Sequence, residues 1–109
     1  MNSKEETLQI YDQIIATNDK FKRKGKTVPY TSANGYMFTL FNKENQIGFR
    51  LSKEDQKAFI EKYDSGPFRS YGAIMRDYVI IPESLYNNMD VLSYYLEKSY
   101  QFVMSLKPK

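Results

Sequence analysis

Hydrophobic and polar positions change period several times along the chain, and each change marks an element boundary. Leu8, Tyr11, Ile14 and Ile15 recur at three- and four-residue spacing behind Ser3 and Glu6, which fit a reciprocal capping box, so a first helix is predicted over 3–18. Asn18-Asp19 ends it, and a basic stretch containing Gly25 leads onward. Asn34-Gly35 tolerates positive φ at both central turn positions. It lies between two strand-like runs, 28–33 and 36–41, so the segment reads as a hairpin. Pro29 cannot donate a ladder hydrogen bond, which starts the first strand there or places it at an edge. After the polar turn 42–45, Ile47, Phe49 and Leu51 alternate with Gly48 and Arg50, giving a third strand with one buried face.

Ser52 followed by Glu54 and Asp55 is an N-cap with acids in the first turn. The helix it opens, over 53–63, is predicted to bury a stripe of Ala58, Phe59, Lys62 and Tyr63. Gly66-Pro67 breaks the chain, and 68–71 and 74–81 read as two more strands around Gly72-Ala73. Pro82-Glu83 opens a helical turn. From Asp90 a long helix carries Leu92, Tyr95, Leu96, Ser99, Val103 and Leu106 on one side and ends near Lys107-Pro108. The order helix, three strands, helix, two strands, helix, without a long βαβ crossover, predicts an α+β fold. It is a two-layer architecture in which a curved antiparallel sheet of about five strands packs against helices. With 109 residues the chain is expected to form one domain, 1–109, that removes roughly 60–70% of its extended surface from water.

Composition narrows the chemistry sharply. There is no Cys and no His, so thiolate nucleophiles, disulfides, zinc ribbons, imidazole bases and imidazole ligands are all excluded. No Gly-rich phosphate loop, Ser-x-x-Lys or Gly-x-Ser-x-Gly occurs, and Ser3 and Ser52 are explained as caps. The pair Glu54-Asp55 suits a helix start rather than acid–base work. The expectation is a non-enzymatic protein with no cofactor and no metal. Ten Tyr and seven Phe supply enough ring area for a folded core.

The net charge of +3 is unevenly distributed. Lys20, Lys22, Arg23, Lys24 and Lys26 put five cations into seven residues, while the remainder is slightly acidic. This segment is either a solvated connector or a phosphate-contacting arm that would bind nucleic acid. Arg50, Arg69, Tyr71 and Arg76, together with Tyr78, fall on adjacent predicted strands. They form a candidate interaction surface, or else the rings fill the helix-facing side while Arg extends to solvent. Tyr94, Tyr100 and Met104 lie off the main stripe of the last helix, as a homodimer seam or as the rim of the core. The polar start of the chain lacks a secretory h-region, and no apolar run approaches the ~18 residues that cross a bilayer, so a cytoplasmic protein without membrane association is expected.

From Gly35 onward the sequence resembles the N-terminal domain family of TfoX, also called Sxy, the bacterial regulators associated with competence. The resemblance is carried by Gly35-Tyr36-Met37-Phe38-Thr39-Leu40, by 47–51 running into the acidic helix start 52–55, and above all by Tyr78-Val79-Ile80-Ile81-Pro82-Glu83. Leu85, Asn87-Asn88-Met89-Asp90, Leu92 and Tyr95 continue it, and the carboxyl end 99–109 is similar to small single-domain members. Upstream of the hairpin the chain reads Lys26-Thr27-Val28-Pro29-Tyr30-Thr31-Ser32, where many members carry Arg with a Met-Phe-Gly-Gly stretch. The resemblance implies a fold similar to secretion chaperones and a regulatory or protein-binding role, with no catalytic residues to carry over.

Overall fold

The computed structural model of the chain describes residues 3–70 and 72–109. Its order is α1 (Lys4–Ala16), β1 (Tyr30–Ala33), β2 (Tyr36–Phe41), β3 (Ile47–Arg50), α2 (Lys53–Tyr63), β4 (Pro67–Ser70), β5 (Ala73–Ile80), a 3-10 turn (Glu83–Leu85) and α3 (Met89–Met104). This is the α+β order read from the sequence. The capping box forms in full: Glu6 N–H donates to Ser3 Oγ at 3.1 Å and Ser3 N–H donates to Glu6 Oε1 at 3.0 Å. The Ser3 backbone bond, then its side chain, hold the Glu6 carboxyl below the ordinary carboxylate range. Ser52 caps α2 by accepting from Asp55 N–H, and α2 stops where Asp64 turns left-handed at φ 53°.

The inward stripe of α2 differs from the expected one. Ala58 and Lys62 are exposed, whereas Phe59 is fully buried with Ile60 and Tyr63 packed beside it. The register is set by ring packing: Phe59 meets Tyr63 and Tyr95 with centroids 4.9 Å away in each case. An α2 with so few apolar residues leaves its facing ambiguous until α3 supplies Tyr95. In α3 itself Leu92, Leu96, Ser99 and Val103 are buried as the stripe predicts, and the helix closes at Met104, before Lys107.

The sheet is antiparallel and open, in the order β1-β2-β3-β5-β4, so β1 and β4 are its edges. Asn34 (φ 57°) and Gly35 (φ 84°) make the hairpin turn between β1 and β2. A register shift at Thr31/Ser32 sets Met37 and Leu40 on one face, while Phe38, Thr39 and Phe41 face the helices. The main core joins Tyr11, Ile14, Phe38, Phe41, Ile47, Phe49, Leu51, Phe59, Leu92 and Leu96, all at 1% exposure or less. Each such side chain contributes about 1.5–3 kcal/mol of burial. Across this layer the Tyr11 hydroxyl meets Thr39 Oγ1 at 2.8 Å, and Thr39 meets Thr31 Oγ1 at 2.7 Å.

The opposite face carries a second, helix-free cluster of Leu40, Phe68 and Tyr78, flanked by Val28, Tyr30, Met37, Met75 and Ile80. Three observations show that the sheet curls around it. Tyr78 of β5 donates its hydroxyl proton to the Met37 carbonyl of β2 at 2.8 Å, across β3. Asn42, following β2, donates from Nδ2 to the Arg69 carbonyl of β4 at 2.7 Å. The Phe68 ring of β4 lies so close over Gly48 of β3 that a Cβ there would sit 2.6 Å from the ring. The helices therefore cover the convex side, and β4 folds back over the concave one.

Candidate interaction surface

The basic segment is folded onto the body by one ring that the charge reading passed over. Phe21 packs edge-on against Phe38, with centroids 4.9 Å apart, and lies 5.5 Å from Tyr100. Around this anchor the five cations take different roles. Lys20 Nζ pairs with Glu97 Oε1 at 3.0 Å and lies over the Tyr100 ring. Hydrogen bonds from Gln101, then from Lys20 and Asn18, hold the Glu97 carboxyl below its ordinary value. Arg23 Nε faces Asp12 Oδ1 at 3.4 Å. Lys24 pairs its backbone with Tyr30 in both directions and reaches Ser32 Oγ with Nζ at 3.3 Å. Lys22 and Lys26 are exposed.

The strand residues differ in burial: Arg50 is partly buried, Arg69 and Arg76 are exposed and Tyr78 is buried. Arg50 is half-buried at the end of β3, between the rings of Tyr36 and Phe102 at 5.4 and 5.8 Å and beside Asp77 Oδ2 at 3.5 Å. Asp77 is itself at φ 74° and accepts from Gln56 Nε2 at 3.3 Å. Arg69 and Arg76 are exposed, with Arg69 opposite the exposed Ile74 on the β4–β5 pair. Tyr78 is buried, and its burial, ahead of any nearby charge, pushes its hydroxyl well above the ordinary phenol range. Tyr71 lies outside the described residues.

On α3, Tyr100 belongs to the Phe21–Phe38 cluster, which leaves Tyr94 and Met104 as the exposed off-stripe pair at 57% and 46%. A groove lined in part by Tyr94, Asp55, Glu97, Lys98 and Phe102 has Lys98 Nζ 3.4 Å from Asp55 Oδ2. Among the described residues no group of three or more His, Cys, Asp or Glu is placed to hold a metal, and no helix is long and apolar enough to cross a membrane.

The feature that sequence reasoning missed is a cleft of about 220 Å³ on the concave face, lined by Val28, Tyr30, Met37, Leu40, Ser70 and Met75. It opens between the edge strand β1 and the β4–β5 hairpin. A signal for it exists in the sequence: Met37 and Leu40 are apolar although their neighbours Phe38 and Phe41 already supply the helix-facing side, which marks a strand covered on both faces.

Comparison with protein-family models and with curated proteins returns no match for this chain.

Proposed function

We propose that the chain is a non-enzymatic protein-interaction module of regulatory type, acting in the cytoplasm, which receives its partner on the concave face of the sheet. The observation that carries this reading is the apolar cleft at Val28, Tyr30, Met37, Leu40 and Met75, a hollow left open to solvent beside a cluster that no helix covers. The resemblance of Tyr78–Glu83 to TfoX N-terminal domains supports a regulatory role. The rival role, nucleic-acid binding by the basic arm, has less behind it because Lys20 and Arg23 already face Glu97 and Asp12. A homodimer contact through Tyr94 and Met104 would leave the concave face free for that partner.

Site-specific photocrosslinking in cells tests the proposal. A benzophenone side chain at position 37 or 75 should capture one discrete partner band, while the same group at Lys57, on the exposed face of α2, should not. Equal capture from all three positions, or capture from α2 alone, would overturn it.

A further inference from the structure

Resting on that reading, we infer that the partner is an acidic peptide segment that seats one bulky apolar side chain in the cleft. Two independent features converge on this chemistry. The first is charge. The stretches 20–42 and 65–76, which contain every residue lining the cleft, hold seven Lys or Arg and no Asp or Glu, whereas the rest of the chain has nine basic and thirteen acidic residues. Of those seven, Lys20 and Arg23 are the ones that face a carboxylate among the described residues. Lys24 and Lys26 flank Gly25, whose backbone lies against the lining ring of Tyr30, and Arg69 and Arg76 adjoin the lining residues Ser70 and Met75 along the chain; all four are exposed, and the cleft's own lining is uncharged. Such a cationic surround acts over a screening length of about 10 Å and selects an anionic partner.

The second feature is size and shape. At about 220 Å³ the hollow is below the range of about 300–1,000 Å³ typical of cofactor and drug-like ligands. One Leu, Met or Phe side chain fits it. Strand addition is disfavoured at both edges. On β1 the Tyr30 N–H and C=O are already taken by Lys24, and β4 begins with Pro67 and gives its Arg69 carbonyl to Asn42. A nucleobase would need a bare ring to stack on, and the Gly25 backbone lies against Tyr30, where an added Cβ would meet the ring at 3.1 Å. Side-chain insertion with acidic flanks is the mode that remains.

Fluorescence polarisation with the full chain tests this. The probe is a fluorescein-labelled peptide with Glu and Asp flanking a central Phe, compared with the same peptide carrying Ala at the centre and with one carrying Lys flanks. Replacing Phe by Ala should weaken binding about tenfold or more, and Lys flanks should abolish it. The surface pair Lys24→Glu with Lys26→Glu should weaken the Phe peptide at least about tenfold and reduce its salt dependence. Met75→Glu should abolish binding while circular dichroism shows an intact fold; if it does not fold, Ser70→Leu, which fills the cleft wall, serves instead.

Equal binding of the Phe and Ala peptides, or an unchanged affinity in the double Lys variant, would overturn the inference. So would an oligonucleotide that displaces the peptide, or a dimer by light scattering that Met75→Glu dissolves, since that would put a second copy in the cleft. Crosslinking from positions 37 and 75 combined with no peptide binding would reject this chemistry while leaving the docking face in place. Failure of both would reject the interaction module itself.

Discussion

Asn42 Nδ2 and the carbonyl oxygen of Arg69 are 2.7 Å apart, although two other strands stand between β2 and β4 in the sheet. Flat strands would separate them by about 14 Å at about 4.8 Å per step. The bond therefore marks the curl that makes a concave face, and Asn42 is 2% exposed with its own Oδ1 accepting from Gln46 N–H at 2.9 Å. Asn42→Ala should cost about 1–3 kcal/mol in urea unfolding, because it orphans buried partners. Amide hydrogen exchange should rise in 68–70 more than in β2 itself; uniform change along the sheet would mean the bond does not hold β4 in place.

Gly48 is the second requirement of the curl. A Cβ at that position would lie 2.6 Å from the Phe68 ring. Gly48→Ala should destabilise by about 1–3 kcal/mol through overpacking. Combining it with Phe68→Leu should recover part of that loss, a non-additivity expected of touching residues. Additive costs would show that the two do not compete for one space.

Tyr11→Phe removes the phenol that joins α1 to the sheet through Thr39 and Thr31. A buried hydroxyl then loses a partner, and stability should fall by about 1–2 kcal/mol with the helix content unchanged. A neutral substitution would mean that Thr31 alone satisfies Thr39.

Alkaline pH provides a further check. Burial raises the hydroxyls of Tyr11 and Tyr78, and pushes those of Tyr86 and Tyr95 to about 12. An acid whose folded-state pKa lies above its unfolded value stabilises the fold fully below the unfolded value, about 10 for phenol, and loses that contribution as pH rises toward the folded one. The urea midpoint should hold steady from pH 8 to about 10 and then decline. Tyr86→Phe should make the decline shallower; an identical slope would remove Tyr86 from the effect.

The sequence made the element order legible because its punctuation is local: the Ser3/Glu6 box, the Asn34-Gly35 turn and the Ser52 cap each act within four residues. Bounds of α2 were readable for that reason, but its facing was not, since Tyr95 from α3 decides it. The different surroundings of Arg50, Arg69 and Arg76 were not legible from strand alternation, because long-range contacts set them. Arg50 meets Asp77 and the Tyr36 and Phe102 rings, partners remote in sequence, whereas Arg69 and Arg76 are exposed on the β4–β5 pair. The cleft was hidden for the same kind of reason, because curl depends on Asn42, Gly48 and Tyr78 reaching over strands they do not neighbour.

Methyl NMR of the methionines, with the crosslinked partner added, tests the docking face most directly. Met37 and Met75 line the cleft, while Met89 and Met104 stand at the two ends of α3. The Met37 and Met75 methyl signals should shift or broaden with Met89 and Met104 unmoved. Movement of Met104 with Met37 and Met75 left in place would move recognition to the helical side and contradict the account.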